Sequence, residues 1–179
     1  MDLGPNFLGN LILLALTALV SGICIPMILK RYEAGLARQT RLIEAQSRLL
    51  DELTAVLWKW RYLAKQVSYY GVKFDLHPEA YQRACRKYED DVWQTLNEFR
   101  TLISRSRRLA SEAAYVSLEA LYQYIVRDLD LKVRALASAE PPDANLAYAI
   151  AERFSKEVSA KLDEALDALA TELKLKASL

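Results

Sequence analysis

The sequence predicts an all-α protein, with a single N-terminal transmembrane helix followed by a cytoplasmic bundle of about four helices. Three observations support this. Residues 7–29 form an uncharged apolar run long enough to cross a bilayer. Residues that favour turns are scarce, because no glycine follows Gly71 and only three prolines follow Pro26. No segment shows the sustained alternation of apolar and polar residues that marks a half-buried strand.

The composition excludes several classes of protein. Hydrophobic residues make up 53% of the chain and charged residues 26%, with a net charge of +1, which is too apolar and too evenly charged for a disordered protein. The two cysteines lie far apart, Cys24 within the apolar run and Cys85 outside it, so a disulfide framework is excluded. The 179 residues correspond to one ordinary domain.

Residues 7–29 are the predicted transmembrane helix. At 1.5 Å per residue the run spans roughly 34 Å, against a hydrocarbon core of about 30 Å. Basic residues follow the run but do not precede it, and such residues stay on the cytoplasmic side. We therefore expect an inner-membrane protein with residues 1–6 outside and residues 30–179 in the cytoplasm. The side chains expected to contact anionic headgroups of the inner leaflet are Lys30, Arg31, Arg38 and Arg41.

The apolar run is expected to act as an anchor and not as a cleaved signal peptide. A signal peptide has a basic N-terminal region and an apolar core of about 7–15 residues. This chain lacks the first feature and exceeds the second. Pro26 lies one turn before the cytoplasmic end of the run and is expected to kink the anchor helix.

Small and polar residues share one face of the predicted span. Asn10, Thr17 and Ser21 are separated by seven and four residues, and Ala18 and Gly22 lie beside them as a small-xxx-small pair. Such a face favours contact with protein over lipid, and in a ring of spans it would line a pore. In the alternative interpretation, the hydroxyl groups only bond to the backbone of their own helix.

The first cytoplasmic helix is expected over residues 30–70. Its apolar residues recur every seven positions in three adjacent rows, which form a broader face than the narrow seam of a two-stranded coiled coil. This face favours two or more neighbours, either in a bundle or in a closed ring of subunits. The residues predicted to join subunits are Leu42, Leu49, Leu53, Val56, Trp60 and Leu63. Gly71 is expected to end the helix.

Three further helices are expected over residues 78–104, 111–137 and 143–177. Pro78 suits the first position of the second helix, and Ser111 and Asp143 are expected to cap the third and the fourth. Each helix carries one apolar stripe with steps of three and four residues. A single rod over residues 78–137 is the alternative to a break after residue 104. Short connections favour antiparallel neighbours.

The supply of reactive residues argues against an enzyme. His77 is the only histidine, and it has no partners for a zinc site because Cys24 lies in the predicted span. A phosphate-binding glycine loop cannot form after Gly71. The motif of the HEPN nucleases, an arginine followed within about six residues by histidine, is also missing, because the nearest arginine before His77 is Arg61. We predict no catalytic residue, no metal ion and no cofactor.

The candidate site for an anionic ligand is a group of four arginines near the end of the second helix, Arg100, Arg105, Arg107 and Arg108. No acidic residue occurs between Glu98 and Glu112. Arginines in such a group could bind the phosphate of a nucleotide or a nucleic acid, whereas the alternative is that they stabilise a helix C-terminus. The acidic residues 89–91 are expected to face solvent, because successive helical positions do not face one another.

One apolar span joined to a cytoplasmic helical bundle resembles the general plan of small membrane effectors of prokaryotic defence systems, some of which assemble into pores. The leading hypothesis is a homo-oligomeric channel or pore that is gated by its cytoplasmic helical domain. One alternative is a membrane-tethered helical scaffold or adaptor, and another is a membrane-bound nucleotide- or nucleic-acid-binding module. Expected partners are anionic lipid, further copies of the chain, and a nucleotide or nucleic acid at the arginines.

Overall fold

The computed structural model describes residues 12–14 and 16–173. We number four helices in chain order: α1 is Ile25–Val72, α2 is Pro78–Leu109, α3 is the helical run 112–137, and α4 is the helical run 144–172. No strand occurs among the described residues, and the all-α prediction is confirmed.

In the described part of the chain, three π-helical segments depart from the regular α-helix, namely Val20–Cys24 before α1, Tyr124–Asp130 within α3, and Phe154–Val158 within α4. The first has a clear cause in Pro26, which has no N–H group and whose ring crowds the carbonyl of Gly22 one turn earlier. The backbone widens there, and the N–H of Ile25 donates to the carbonyl of Val20, five residues back.

The chain divides into two compact units, Met1–Glu44 and Ala45–Leu179. In the first unit, every described residue is exposed, including large aliphatic side chains such as Leu13 and Leu14. This unit contains a window of 18 residues with a mean hydropathy of 2.5, none of it buried. Its helix is therefore long and apolar enough to cross a membrane, by length and composition.

The second unit is a four-helix bundle whose neighbouring helices run antiparallel. The side chain of Gln46, at the start of the part of α1 that belongs to this unit, donates to the carbonyl of Leu109 at the end of α2, over 2.8 Å. The rings of Phe99 in α2 and Tyr122 in α3 lie 5.6 Å apart. On the remaining side, Trp60 of α1 and Phe154 of α4 lie 5.6 Å apart and close the bundle.

The face of α1 that was predicted to join subunits belongs instead to the core of this bundle. Five of the six predicted residues are buried among the helices of their own chain: Leu49, Leu53, Val56, Trp60 and Leu63. Only Leu42 is exposed. The prediction of an intersubunit surface there is wrong, because the broad face finds its neighbours in α2, α3 and α4.

The break between α2 and α3 lies later than the sequence indicates. The helix continues to Leu109, and within it the hydroxyls of Ser104 and Ser106 donate to carbonyls of their own helix. Ser111 then caps α3 by accepting a hydrogen bond from the backbone of Ala114 over 3.2 Å. Its hydroxyl also donates to a carboxylate oxygen of Glu172 over 2.8 Å, which ties the start of α3 to the end of α4.

The other ends of the helices follow their local chemistry. Asp143 caps α4, as predicted, by accepting hydrogen bonds from the backbone of Asn145 and Leu146. Gly71 does not end α1, which continues to Val72. Gly71 is buried, and a β-carbon at this position would lie 3.1 Å from the β-carbon of Ala147. The glycine therefore allows α1 and α4 to approach closely.

Candidate functional site

An open groove of 860 Å³ lies between α1 and α2 on the bundle surface. Its floor is apolar and consists of Ala55, Val56 and Leu102. The residues on its rim are charged, polar or aromatic: Glu52, Asp90, Trp93, Gln94, Asn97, Glu98, Thr101 and Arg105. An apolar floor with a polar rim is the usual form of a binding site for a helical segment or another elongated ligand.

The rim of the groove carries excess negative charge. Arg105 is paired with Glu52 across the groove. Asp90 and Glu98 have no ion pair among the described residues, and Glu98 accepts only the amide of Gln94, over 2.9 Å. Two carboxylates are therefore left without a cation, and the groove favours a positively charged occupant.

Trp93 presents a large aromatic ring at the groove, with 60% of its surface accessible. The guanidinium of Arg134, from α3, lies 4.2 Å from the centre of its ring. Since the face of an indole attracts cations, this contact holds the ring in place and leaves much of it free for a ligand.

A buried polar network joins α2 and α3 close to this tryptophan. One carboxylate oxygen of Asp130 accepts the hydroxyl of Tyr88, and the other accepts Nε of Arg134 over 2.6 Å. Asp130 is 3% exposed and Tyr88 is fully buried. Asp130 is also the last residue of the π segment Tyr124–Asp130. Arg134 therefore links a buried carboxylate to the exposed ring of Trp93.

Burial raises the pKa of two tyrosines in this part of the bundle. Removal from water, and then the negative charge of Asp130, raises the pKa of Tyr88 well above its usual range. Burial likewise raises the pKa of Tyr81, whose hydroxyl donates to the carbonyl of Leu136. Both phenols are therefore held in their neutral form, in which they donate hydrogen bonds. Burial also raises the pKa of the Cys85 thiol.

The four predicted arginines lie along the C-terminal part of α2 and have different neighbours. Arg105 lies in the groove, whereas Arg107 lies over the ring of Tyr115 at 5.4 Å. Arg100 and Arg108 are exposed and have no ion pair within the described part of the chain. At 3.6 residues per turn, Arg105 points roughly 140° away from Arg100. Arg105 and Arg107 therefore have different neighbours, and binding of an anionic ligand by the four arginines stays a prediction.

The predicted pore face is seen in part, because Asn10 lies outside the described residues. The hydroxyl of Thr17 donates to the carbonyl of Leu13 over 2.7 Å, and that of Ser21 donates to the carbonyl of Thr17 over 2.6 Å. Both hydroxyls are thus satisfied within their own helix. The smaller residues of this face, Ala18 and Gly22, are exposed, as are the predicted lipid contacts Lys30, Arg31, Arg38 and Arg41.

Within the described ranges, no cluster of histidine, cysteine or acidic residues could hold a metal ion. Sequence reasoning missed the groove, because it assigned residues 89–91 to a solvated face and did not place Glu52 opposite Arg105. An aspartate four residues before an arginine, next to the apolar stripe of α3, was the available signal for Asp130 and Arg134. Comparison of the chain with protein-family models, curated proteins and solved structures finds no match.

Proposed function

We propose that the protein is a single-pass membrane adaptor. Its N-terminal apolar helix would hold the bundle at the cytoplasmic face of the inner membrane, and the bundle would bind a cationic, amphipathic segment of a partner protein in the α1–α2 groove. The groove carries this proposal, because its apolar floor suits the apolar side of a helix and its free carboxylates suit basic side chains. Most of the α1 residues that were predicted to join subunits are buried within the bundle, which also favours an adaptor over a ring of subunits.

The groove is tested with full-length protein in nonionic detergent and a labelled helical peptide that carries leucine on one face and lysine on the other. We expect the peptide to bind, and its lysine-to-glutamate counterpart not to bind. The pair Asp90→Lys and Glu98→Lys, or Trp93→Ala alone, should weaken binding at least tenfold in fluorescence anisotropy, since these changes remove the charge and the exposed ring.

A matched control is the pair Asp163→Lys and Glu164→Lys, which changes the net charge equally on exposed positions of α4. This pair should leave the affinity within about twofold. If it weakens binding as much as the groove pair does, or if the glutamate peptide binds equally well, the groove is not the docking site.

A channel is the second candidate, and one feature of the first unit favours it. An apolar groove of 410 Å³ runs along the face that holds Thr17 and Ser21, and a neighbouring span could fill it. Native mass measurement in detergent and conductance in bilayers separate the two functions. We expect one or two copies and no current. Four or more copies, with a current that Ser21→Leu reduces, would replace the adaptor with a channel.

A further inference from the structure

The exposed side of α1 between residues 58 and 73 combines aromatic rings with positive charge. Trp58, Tyr62 and Tyr69 expose 39%, 55% and 45% of their surface, and their spacing of four and seven residues puts them on one side of the helix. No acidic residue occurs from position 53 to position 74. We call this surface the basic–aromatic face, and it comprises Trp58, Lys59, Arg61, Tyr62, Lys65, Tyr69 and Lys73, together with Lys87 from α2.

Each of the three rings has a cation against it. The guanidinium of Arg61 lies 4.4 Å from the centre of the Trp58 ring, and the ammonium of Lys73 lies 4.6 Å from that of Tyr69. Lys87 reaches across from α2 to within 5.8 Å of the Tyr62 ring. None of the basic residues of this face has an acidic partner within the described residues. The guanidinium of Arg61 also donates to the hydroxyl of Ser159 in α4 over 2.6 Å, so the positive charge available to a ligand is that of the lysines.

The tyrosines of this face are also held in position. The hydroxyl of Tyr62 accepts a hydrogen bond from the side-chain amide of Gln66 over 2.7 Å, and that of Tyr69 accepts one from the ammonium of Lys73 over 2.8 Å. Rings fixed in this way lose little conformational entropy when a planar partner stacks on them. This arrangement favours a ligand that presents flat groups at intervals along a negatively charged backbone.

We propose that the basic–aromatic face binds single-stranded nucleic acid, with bases stacked on the rings and phosphates paired with the lysines. A duplex fits less well, because its bases are already stacked inside. An anionic lipid surface would also attract the charge, but the partly or fully exposed positions from Trp58 to Lys73 carry aromatic, basic and amide side chains, with Val72 as the one aliphatic exception. A single valine supplies little of the aliphatic surface that inserts below headgroups.

The test uses full-length protein in nonionic detergent and a labelled oligothymidylate of about 20 nucleotides, a length that covers one or more typical single-strand sites. Affinity should fall steeply between about 50 and 200 mM salt. The pair Lys59→Glu and Lys65→Glu should weaken binding at least tenfold and flatten the salt dependence. The pair Tyr62→Ala and Tyr69→Ala should also weaken binding at least tenfold, but should leave the salt dependence unchanged.

Two controls match these variants. The pair Arg127→Glu and Lys132→Glu makes the same charge change on exposed positions of α3, and Tyr148→Ala removes an exposed ring from α4. Both should stay within about twofold of the wild type. The proposal is overturned if the controls weaken binding equally, if a duplex binds as tightly and ignores the tyrosine changes, or if only vesicles of anionic phosphatidylglycerol are bound.

Discussion

Replacing Asp130 with alanine is expected to lower the free energy of unfolding by about 3 kcal/mol, the low end of the range for breaking a buried ion pair. The change removes the carboxylate that accepts the buried Tyr88 hydroxyl and Nε of Arg134. The cost stays at the low end because the side chain of Arg134 is 29% exposed and its charge can turn towards water. Chemical unfolding of the full chain, followed by circular dichroism, measures this difference.

Asp128 supplies the control for this measurement. It lies in the same π segment, has the same charge, and is exposed. Asp128→Ala should change stability by no more than about 0.5 kcal/mol. Asp130→Asn keeps an acceptor oxygen but loses the charge, and its loss of stability should lie between those of Asp128→Ala and Asp130→Ala. Equal losses for Asp128→Ala and Asp130→Ala would show that the network does not contribute as the geometry indicates.

Much of the fold could be predicted from the sequence, because local chemistry determines it. Pro78 begins α2, and Ser111 and Asp143 cap the next two helices. Because glycine and proline are scarce, few positions interrupt a helix, and the sequence favours long helices. Hydrogen bonds from these caps satisfy backbone groups within a few residues, so a linear pattern is enough to find them. Gly71 was misassigned, because its role depends on Ala147, which is distant in the sequence.

The candidate site could not be predicted in the same way, since it depends on which helices become neighbours. The three apolar rows of α1 show that the helix is covered on a broad face, but they do not show whether the cover is the same chain or another copy. The contact between Trp60 and Phe154 of α4 shows that the cover comes from the same chain, and this contact joins residues that are distant in the sequence. The pairing of Glu52 with Arg105, which shapes the groove, likewise requires α1 and α2 to lie side by side.

Charged residues likewise divide into those whose neighbours follow from helical spacing and those whose neighbours depend on the tertiary structure. Nearness in sequence suggested that Arg105 and Arg107 act together, but the helix directs them to different neighbours, Glu52 and the ring of Tyr115. The basic–aromatic face, in contrast, consists mainly of residues at helical spacing on α1. A helical projection of that segment would have found it. Periodicity thus identifies a surface carried by one helix, whereas a groove between two helices requires the tertiary structure.

Alkaline pH is expected to destabilise the bundle through its two buried tyrosines, Tyr81 and Tyr88. Burial raises the pKa of Tyr81 and Tyr88 in the folded chain, whereas in the unfolded chain a phenol titrates near pH 10. Above that pH, the unfolded chain has lost protons that the folded chain retains, so stability falls as pH rises. Each buried tyrosine contributes a slope of about 1.4 kcal/mol per pH unit, or roughly 3 kcal/mol for the two. Their contribution is fully present below pH 10.

Unfolding free energies of the full chain in nonionic detergent, measured between about pH 8 and pH 11, test this dependence. Tyr88→Phe should reduce the alkaline slope by about 1.4 kcal/mol per pH unit, even though it also alters stability at neutral pH by removing a donor to Asp130. Tyr148 is 63% exposed, and Tyr148→Phe should leave the slope unchanged. Constant stability of the wild type up to pH 11 would mean that water reaches both phenols. In that case the network of Tyr88, Asp130 and Arg134 would be open to solvent.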